Sequence, residues 1–145
     1  MREIKFRALA PDKKGSLKWF DDVITDGEEV WIQTKHQGTR YLKETKKLVQ
    51  YTGLKDIDGI EIYEGDIVQI VEYEARYDGK FDEFRSEVIF TDGCFSYMQY
   101  EEHLGCKTNY CLSSVCTEDG VDSKGSHFCN VIGNIYEHKH LLGDE

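Results

Sequence analysis

Side chains able to hold a soft metal gather in the last third of the 145-residue chain. His103, Cys106, Cys111 and Cys116 form a His-x2-Cys-x4-Cys-x4-Cys series, with His127 and Cys129 close behind. Thiolates and imidazoles are the ligands that tetrahedral zinc prefers. Structural zinc sites pair ligands two to four residues apart, whereas these thiols stand five apart, so free cysteines on a polar loop are the reading adopted. His138 and His140 have a spacing that could chelate from one face of a strand, but at a charged terminus they are expected to be solvated. No metal and no other cofactor is expected.

Other catalytic chemistry finds little footing. Neither G-x-G-x-x-G nor G-x-x-x-x-G-K-[ST] occurs, and Ser123-Lys124-Gly125-Ser126 has the wrong order for a phosphate loop. Asp56-x-Asp58-Gly59 has the look of a calcium loop, yet Leu54 takes the first ligand position and Gly65 the place of the bidentate Glu. Cysteine and histidine both occur, without an oxyanion or base-positioning signature beside either. Glu61, Glu64 and Asp66 cluster near a bend, which alone marks no acid–base pair. No catalytic residue is assigned, and a non-enzymatic protein is expected.

A binding chemistry is easier to place. Between Lys35 and Lys47 the chain is basic, with Lys35, Arg40, Lys43, Lys46 and Lys47 around the aromatic Tyr41. Cations interleaved with a stacking ring suit single-stranded nucleic acid. The charge elsewhere opposes that use: residues 1–50 carry 11 Lys/Arg against 8 Asp/Glu, and residues 51–145 carry 7 against 20. A solvated loop is therefore the plainer reading of the basic stretch. The acidic remainder, including Glu72, Glu74, Asp82 and Glu83, could instead mimic nucleic acid toward a host protein.

The elements that must position these residues read as strands. Ile4, Phe6 and Ala8 alternate with Glu3, Lys5 and Arg7, and Pro11 to Gly15 turns the chain. Ser16 to Phe20 and Glu29 to Thr34 are further strands around the turn Thr25-Asp26-Gly27, with Trp19 and Trp31 as core anchors. Leu48 to Thr52 resumes strand composition. Asp58-Gly59 predicts a tight hairpin with both residues at positive φ. Gly65-Asp66 opens a β-branched run, Ile67 to Tyr73, apolar enough for burial on both faces. Glu87 to Thr91 and Cys94 to Met98 flank Asp92-Gly93 as a second hairpin. Residues 103–127 read as a long excursion with one short strand around Tyr110 to Val115, Asn130 to Tyr136 as the last strand, and Glu137 to Leu142 as one helical turn.

Many short strands with almost no helical periodicity argue for a small antiparallel barrel or roll. Length and an apolar fraction of 39% fit one unit over residues 1–145, with N-terminal strands 1–50 packed with a barrel-forming region about 51–137. The odd number of cysteines precludes a complete disulfide framework, and neither a signal peptide nor an apolar run of spanning length is found. A soluble cytoplasmic protein is expected.

Three segments resemble the YopX family of phage and prophage proteins. They are MREIKFRA at residues 1–8, LVQYTGLKDIDGIEIYEGDIV at residues 48–68, and VIGNIYEHKHLL at residues 131–142. The sequence departs from the family pattern at Leu9-Ala10-Pro11 and in the Cys-rich stretch between Tyr100 and Cys129. The resemblance implies an SH3-like β-barrel with additional strands in a bacterial host cell, and no known activity. Turn-making Gly53, Gly59 and Gly65, packed Tyr51 and Tyr63, and an Asp66 that satisfies backbone donors are the structural roles expected of the motif. The expected function is that of an accessory protein acting by protein–protein contact with an unknown host or phage protein, as a homo-oligomer. Nucleic-acid binding through Lys35 to Lys47 is the alternative.

Overall fold

A computed structural model describes residues 4–34, 38–72, 82–101, 103–116 and 127–143. Internal contacts divide the chain into two compact units, Met1–Tyr51 and Thr52–Glu145. In the first, β1 (Phe6–Pro11) pairs antiparallel with β2 (Leu17–Phe20) and with the start of β6 (Lys47–Lys55), so that Ala8 faces Phe20 on one side and Leu48 on the other. A three-stranded sheet runs β3 (Val23–Thr25), β4 (Val30–Thr34) and β5 (Gly38–Tyr41). Ala8, Ala10, Val30, Ile32 and Leu42 form the core, with Phe20, Val23 and Leu48 against it.

The unit departs from the sequence reading in four places. Ile4 is 70% exposed, while Ala8, Leu9 and Ala10 are all buried, so β1 lies later and continues through Pro11, which pairs with Leu17. The turn then closes on Asp12, whose Oδ1 accepts the Lys14 and Ser16 amides. β3 and β5 are additional strands too short to leave an alternating signature, and β5 falls inside the basic stretch read as a loop. The tryptophans are half-buried. Small Ala8 and Ala10 let the layers approach closely, and Trp19 lies beneath the Arg7 guanidinium while Trp31 meets the Tyr41 ring at 5.9 Å.

In the second unit β8 (Asp66–Glu72) lies between β13 (His127–Asn134) and β9 (Asp82–Glu87). Its Ile67, Val68 and Ile70 are fully buried, as a strand apolar on both faces requires. β7 (Glu61–Tyr63) pairs with the end of β6. A third sheet has the order β10 (Ile89–Thr91), β11 (Cys94–Glu101), β12 (Cys106–Cys111). Its first turn carries Asp92 and Gly93 at φ 52° and 82°, the doubly left-handed turn expected of Asp-Gly. Ile62, Val68, Ile70, Val88, Phe95 and Tyr97 build the core.

Asp58-Gly59 is different: only Gly59 has positive φ. The turn is longer because Asp56 reorganises it. The buried Asp56 carboxylate accepts the Asp58 and Ile60 amides on Oδ1, at 2.9 Å each, and the Val131 amide of β13 on Oδ2, at 3.0 Å. Two further bonds, Ile57 N–H to Cys129 O and Asn130 Nδ2 to Asp58 Oδ2, fasten the turn to β13. Asp66 Oδ2 takes the Tyr63 amide as the motif predicted, and Gly65, at φ 87°, bonds to Val88 and Ile135.

The Cys-rich excursion also differs from its reading. β12 starts at Cys106, a short 3-10 turn follows at Leu112–Ser114, and Leu112, Val115 and Cys116 are buried in the core. Apolar Leu and Val at the turn drive that burial. Cys129 is buried beside Cys116, so two of the thiols read as loop residues are core residues, and the interaction with Cys116, followed by burial, pushes the Cys129 thiol up. His138, read as solvated, is wedged beneath Gly133, and its Nδ1 accepts the Asn134 amide at 3.2 Å. The terminal turn forms at Lys139–Leu142. All assigned pairings are antiparallel and helix is confined to two 3-10 turns among the described residues, so the fold class is mainly β.

Asp56→Ala would leave three amides without their acceptor, and should lower unfolding free energy by about 3 kcal/mol. Asp58→Ala removes one exposed bond and should cost less than about 1 kcal/mol. Urea titration of both variants measures the difference; equal midpoints would show that the carboxylate is not the tie described.

Candidate functional site

Four of the described cations belong to the acidic second unit: Lys55, Arg85, Lys107 and Lys139. Three of them, Arg85, Lys107 and Lys139, line one cavity of about 400 Å³. Strand alternation puts Arg85 on the outer side of β9, where its Nη1 donates to the Leu141 carbonyl at 3.1 Å and ties the strand to the terminal turn. That turn presents Lys139 and Leu142. β12 contributes Lys107, which sits opposite Tyr100 of β11.

Apolar surface shares the cavity with this charge. Tyr100 is 59% exposed and Met98 36%, on one face of β11 two residues apart. The Met98 amide donates to Ser86 Oγ at 2.9 Å, holding β11 against β9. One carboxylate enters, Glu87. Partial burial raises its pKa above the ordinary range, Lys139 opposes the rise and Glu64 adds to it. Tyr136 is raised as well, by burial first and then by Glu64, Glu87 and Asp66. The concavity thus pairs three cations with exposed aromatic and thioether surface, a combination suited to an anionic group carried on an apolar body.

Composition gave no signal for this groove, since its residues come from four separate segments. The basic stretch that the sequence did single out lies in the first unit. Arg40, Tyr41 and Lys43 line a concavity of about 470 Å³ with Pro11, Asp12 and Glu44. Lys46 and Lys47 are exposed at the start of β6, where Lys47 faces Leu9 and the Lys46 amide bonds the Leu9 carbonyl. Lys35 lies outside the described residues. Asp12 is turned toward Lys18, at 3.1 Å, and that contact with its amide bonds holds its carboxyl below the usual range.

The metal candidates are dispersed. Cys111 lies beside Cys94 and Cys116 beside Cys129, while His103 and Cys106 sit exposed at the β11–β12 turn. Among the described residues no three of His, Cys, Asp and Glu gather as a metal group would require. His140 is exposed at the terminal turn, its ring 6.4 Å from that of His138. His127 lies in β13 opposite Glu72. Of the acidic residues considered for nucleic-acid mimicry, Glu83 is exposed, Glu72 and Asp82 are register partners in β8 and β9, and Glu74 is outside the described residues. Among the described residues no helix is long and apolar enough to cross a membrane.

These features define a mainly β chain with a cationic, aromatic groove in its second unit. It belongs to the YopX family: the YopX protein profile matches residues 5–143, nearly the whole chain. Among solved structures it is similar to protein EF1440 from Enterococcus faecalis, with 23% identity, a TM-score of 0.52, and coverage of 98% of this chain and 99% of that one. That likeness concerns the fold. No curated protein matches the chain.

Glu87 provides a pH test of the groove. Its folded-state pKa is raised, so the native state holds the proton more tightly than the unfolded chain, and stability falls as pH rises through the range just above the ordinary Glu value. Glu87→Gln should therefore raise Tm relative to wild type near neutral pH. The difference should vanish below the ordinary carboxylate range. A Tm difference that stays constant with pH would refute the assignment.

Proposed function

We propose that the protein is a non-enzymatic accessory protein of phage or prophage origin that works by protein–protein contact in the bacterial cytoplasm. The observation that carries this reading is the clustering of Arg85, Lys107 and Lys139 around exposed Tyr100 and Met98 in an otherwise acidic unit. Such a groove complements an acidic protein segment. A second copy of the chain supplies one, because residues 51–145 hold 20 Asp/Glu against 7 Lys/Arg. Family membership supports the accessory role.

Light scattering on the eluting protein tests it. At low salt and tens of micromolar the mass should exceed the 16.8 kDa of one chain, and should fall toward it at high salt and in the Arg85→Glu, Lys139→Glu double variant. A sharp monomer at every salt concentration would refute self-association.

A second reading is favoured by the first unit, where Arg40, Tyr41 and Lys43 share one concavity and Tyr41 leans on Trp31. A ring with flanking cations can stack a base and hold its phosphate. On this reading fluorescein-labelled single-stranded DNA binds at low ionic strength, and Tyr41→Ala together with Lys43→Ala weakens binding at least about tenfold. Unchanged anisotropy at low salt would eliminate it.

A further inference from the structure

The sequence reading treated the five cysteines alike, but the fold sorts them. All are free thiols, and Cys116 and Cys129 are closed off in the core. Cys94 and Cys111 lie on the accessible part of the β11–β12 sheet. Register places Cys111 directly opposite Ser96, and strand alternation puts Cys94, two residues before Ser96, on that same face. The two cysteines are thus diagonal neighbours on one face of the strand pair, and Cys94 Sγ is 3.3 Å from Ser96 Oγ. Cys111 is exposed and Cys94 half-buried, and β12 is an edge strand, so a small reagent can reach the pair.

We propose that Cys94 and Cys111 form a dithiol modification site that a small-molecule disulfide converts reversibly to an intrachain disulfide. Glutathione disulfide serves as the oxidant. The Cys94 thiolate attacks one of its sulfurs, the glutathione S–S bond breaks, and one glutathione thiolate leaves. Cys111, deprotonated, then attacks the Cys94 sulfur of the mixed disulfide and expels the second glutathione. The two protons lost by the cysteines end on the two glutathione thiols, the cysteine pair is oxidised by two electrons, and the glutathione disulfide is reduced by two.

The environment divides the roles. Hydrogen bonds from Cys111 and Ser96 lower the Cys94 pKa and favour its thiolate, against the opposing effects of burial and Asp92. Cys111, the donor, is raised, as befits the resolving thiol. Cys106, exposed at the other end of β12, supplies an internal reference within the same strand.

The experiment treats the full chain with glutathione disulfide, quenches by alkylation and maps the cysteines by mass spectrometry. Wild type should lose two hydrogens and yield a Cys94–Cys111 cross-linked peptide, formed at least about tenfold faster than glutathione attaches to Cys106. Cys111→Ser should trap glutathione on Cys94. Cys94→Ser should slow the modification of Cys111 to the rate of Cys106. Dithiothreitol should restore both thiols in wild type. Glutathione remaining on Cys94 in wild type without a cross-link would overturn the proposal, as would modification of Cys106 at the same rate as the pair. No reaction at Cys94 in wild type or in Cys111→Ser would overturn it too, and circular dichroism of both variants establishes that they are folded.

Discussion

Three backbone amides converge on the buried Asp56 carboxylate, two from its own turn and one from β13, 75 residues further along. Local acceptance of two amides shapes the turn, and the distant third bond converts that shape into tertiary structure. A carboxylate acceptor shared by three amides makes each of them costly to leave unsatisfied. β13 in turn pairs with β8 along the central sheet of the second unit. The register of that central pairing is thereby reinforced by a side chain outside both strands.

The same logic recurs at the end of β13. Asn134 Oδ1 accepts the Tyr136 and Glu137 amides, its Nδ2 donates to Glu137, and its own amide meets His138 Nδ1. A Cβ at Gly133 would stand 2.8 Å from the His138 ring, and one at Gly65 2.9 Å from Tyr136. Glycine is demanded at Gly65 twice over, by that approach and by its positive φ. The long motif LVQYTGLKDIDGIEIYEGDIV and the later VIGNIYE are therefore largely explained by turns, close approaches and amide acceptors. They specify a scaffold, and the groove lined by Arg85, Lys107 and Lys139 lies outside them.

That division explains which elements were legible in the sequence. Strand composition located β2, β4, β6, β8, β10 and β11, because β-branched and aromatic residues between turn residues leave a local trace. The motif gave the role of Asp66, and Asp92-Gly93 was placed as a hairpin turn. Strand composition missed β3 and β5, whose few residues cannot display a period, and β9, whose residues are mostly charged. It misjudged Asp58 because the turn is shaped by the side chain of Asp56, which accepts the Asp58 and Ile60 amides, and not by the Asp-Gly pair alone. The cysteines were read by spacing along the chain, whereas β-sheet register brings Cys94 and Cys111 onto one face as diagonal neighbours, Cys111 standing opposite Ser96. The groove was illegible for the same reason: its cations are isolated in sequence, and only the crossing of β9, the terminal turn and β12 unites them.

The groove and the thiol pair are connected by the geometry of one sheet. Cys94, Ser96, Met98 and Tyr100 alternate onto a single face of β11, and Lys107, Asn109 and Cys111 onto the facing side chains of β12. Met98, Tyr100 and Lys107 form one wall of the cavity, and the two thiols sit at the other end of the same ladder. A covalent link there would tie Cys94 to Cys111, the last paired residue of β12, just before Leu112 begins the 3-10 turn. It would restrict fraying of the ladder from that end, and so favour the paired arrangement in which Tyr100 stands opposite Lys107. Charge and redox chemistry would then act on a common element: the first sets what the groove attracts, and the second sets how firmly its wall is held.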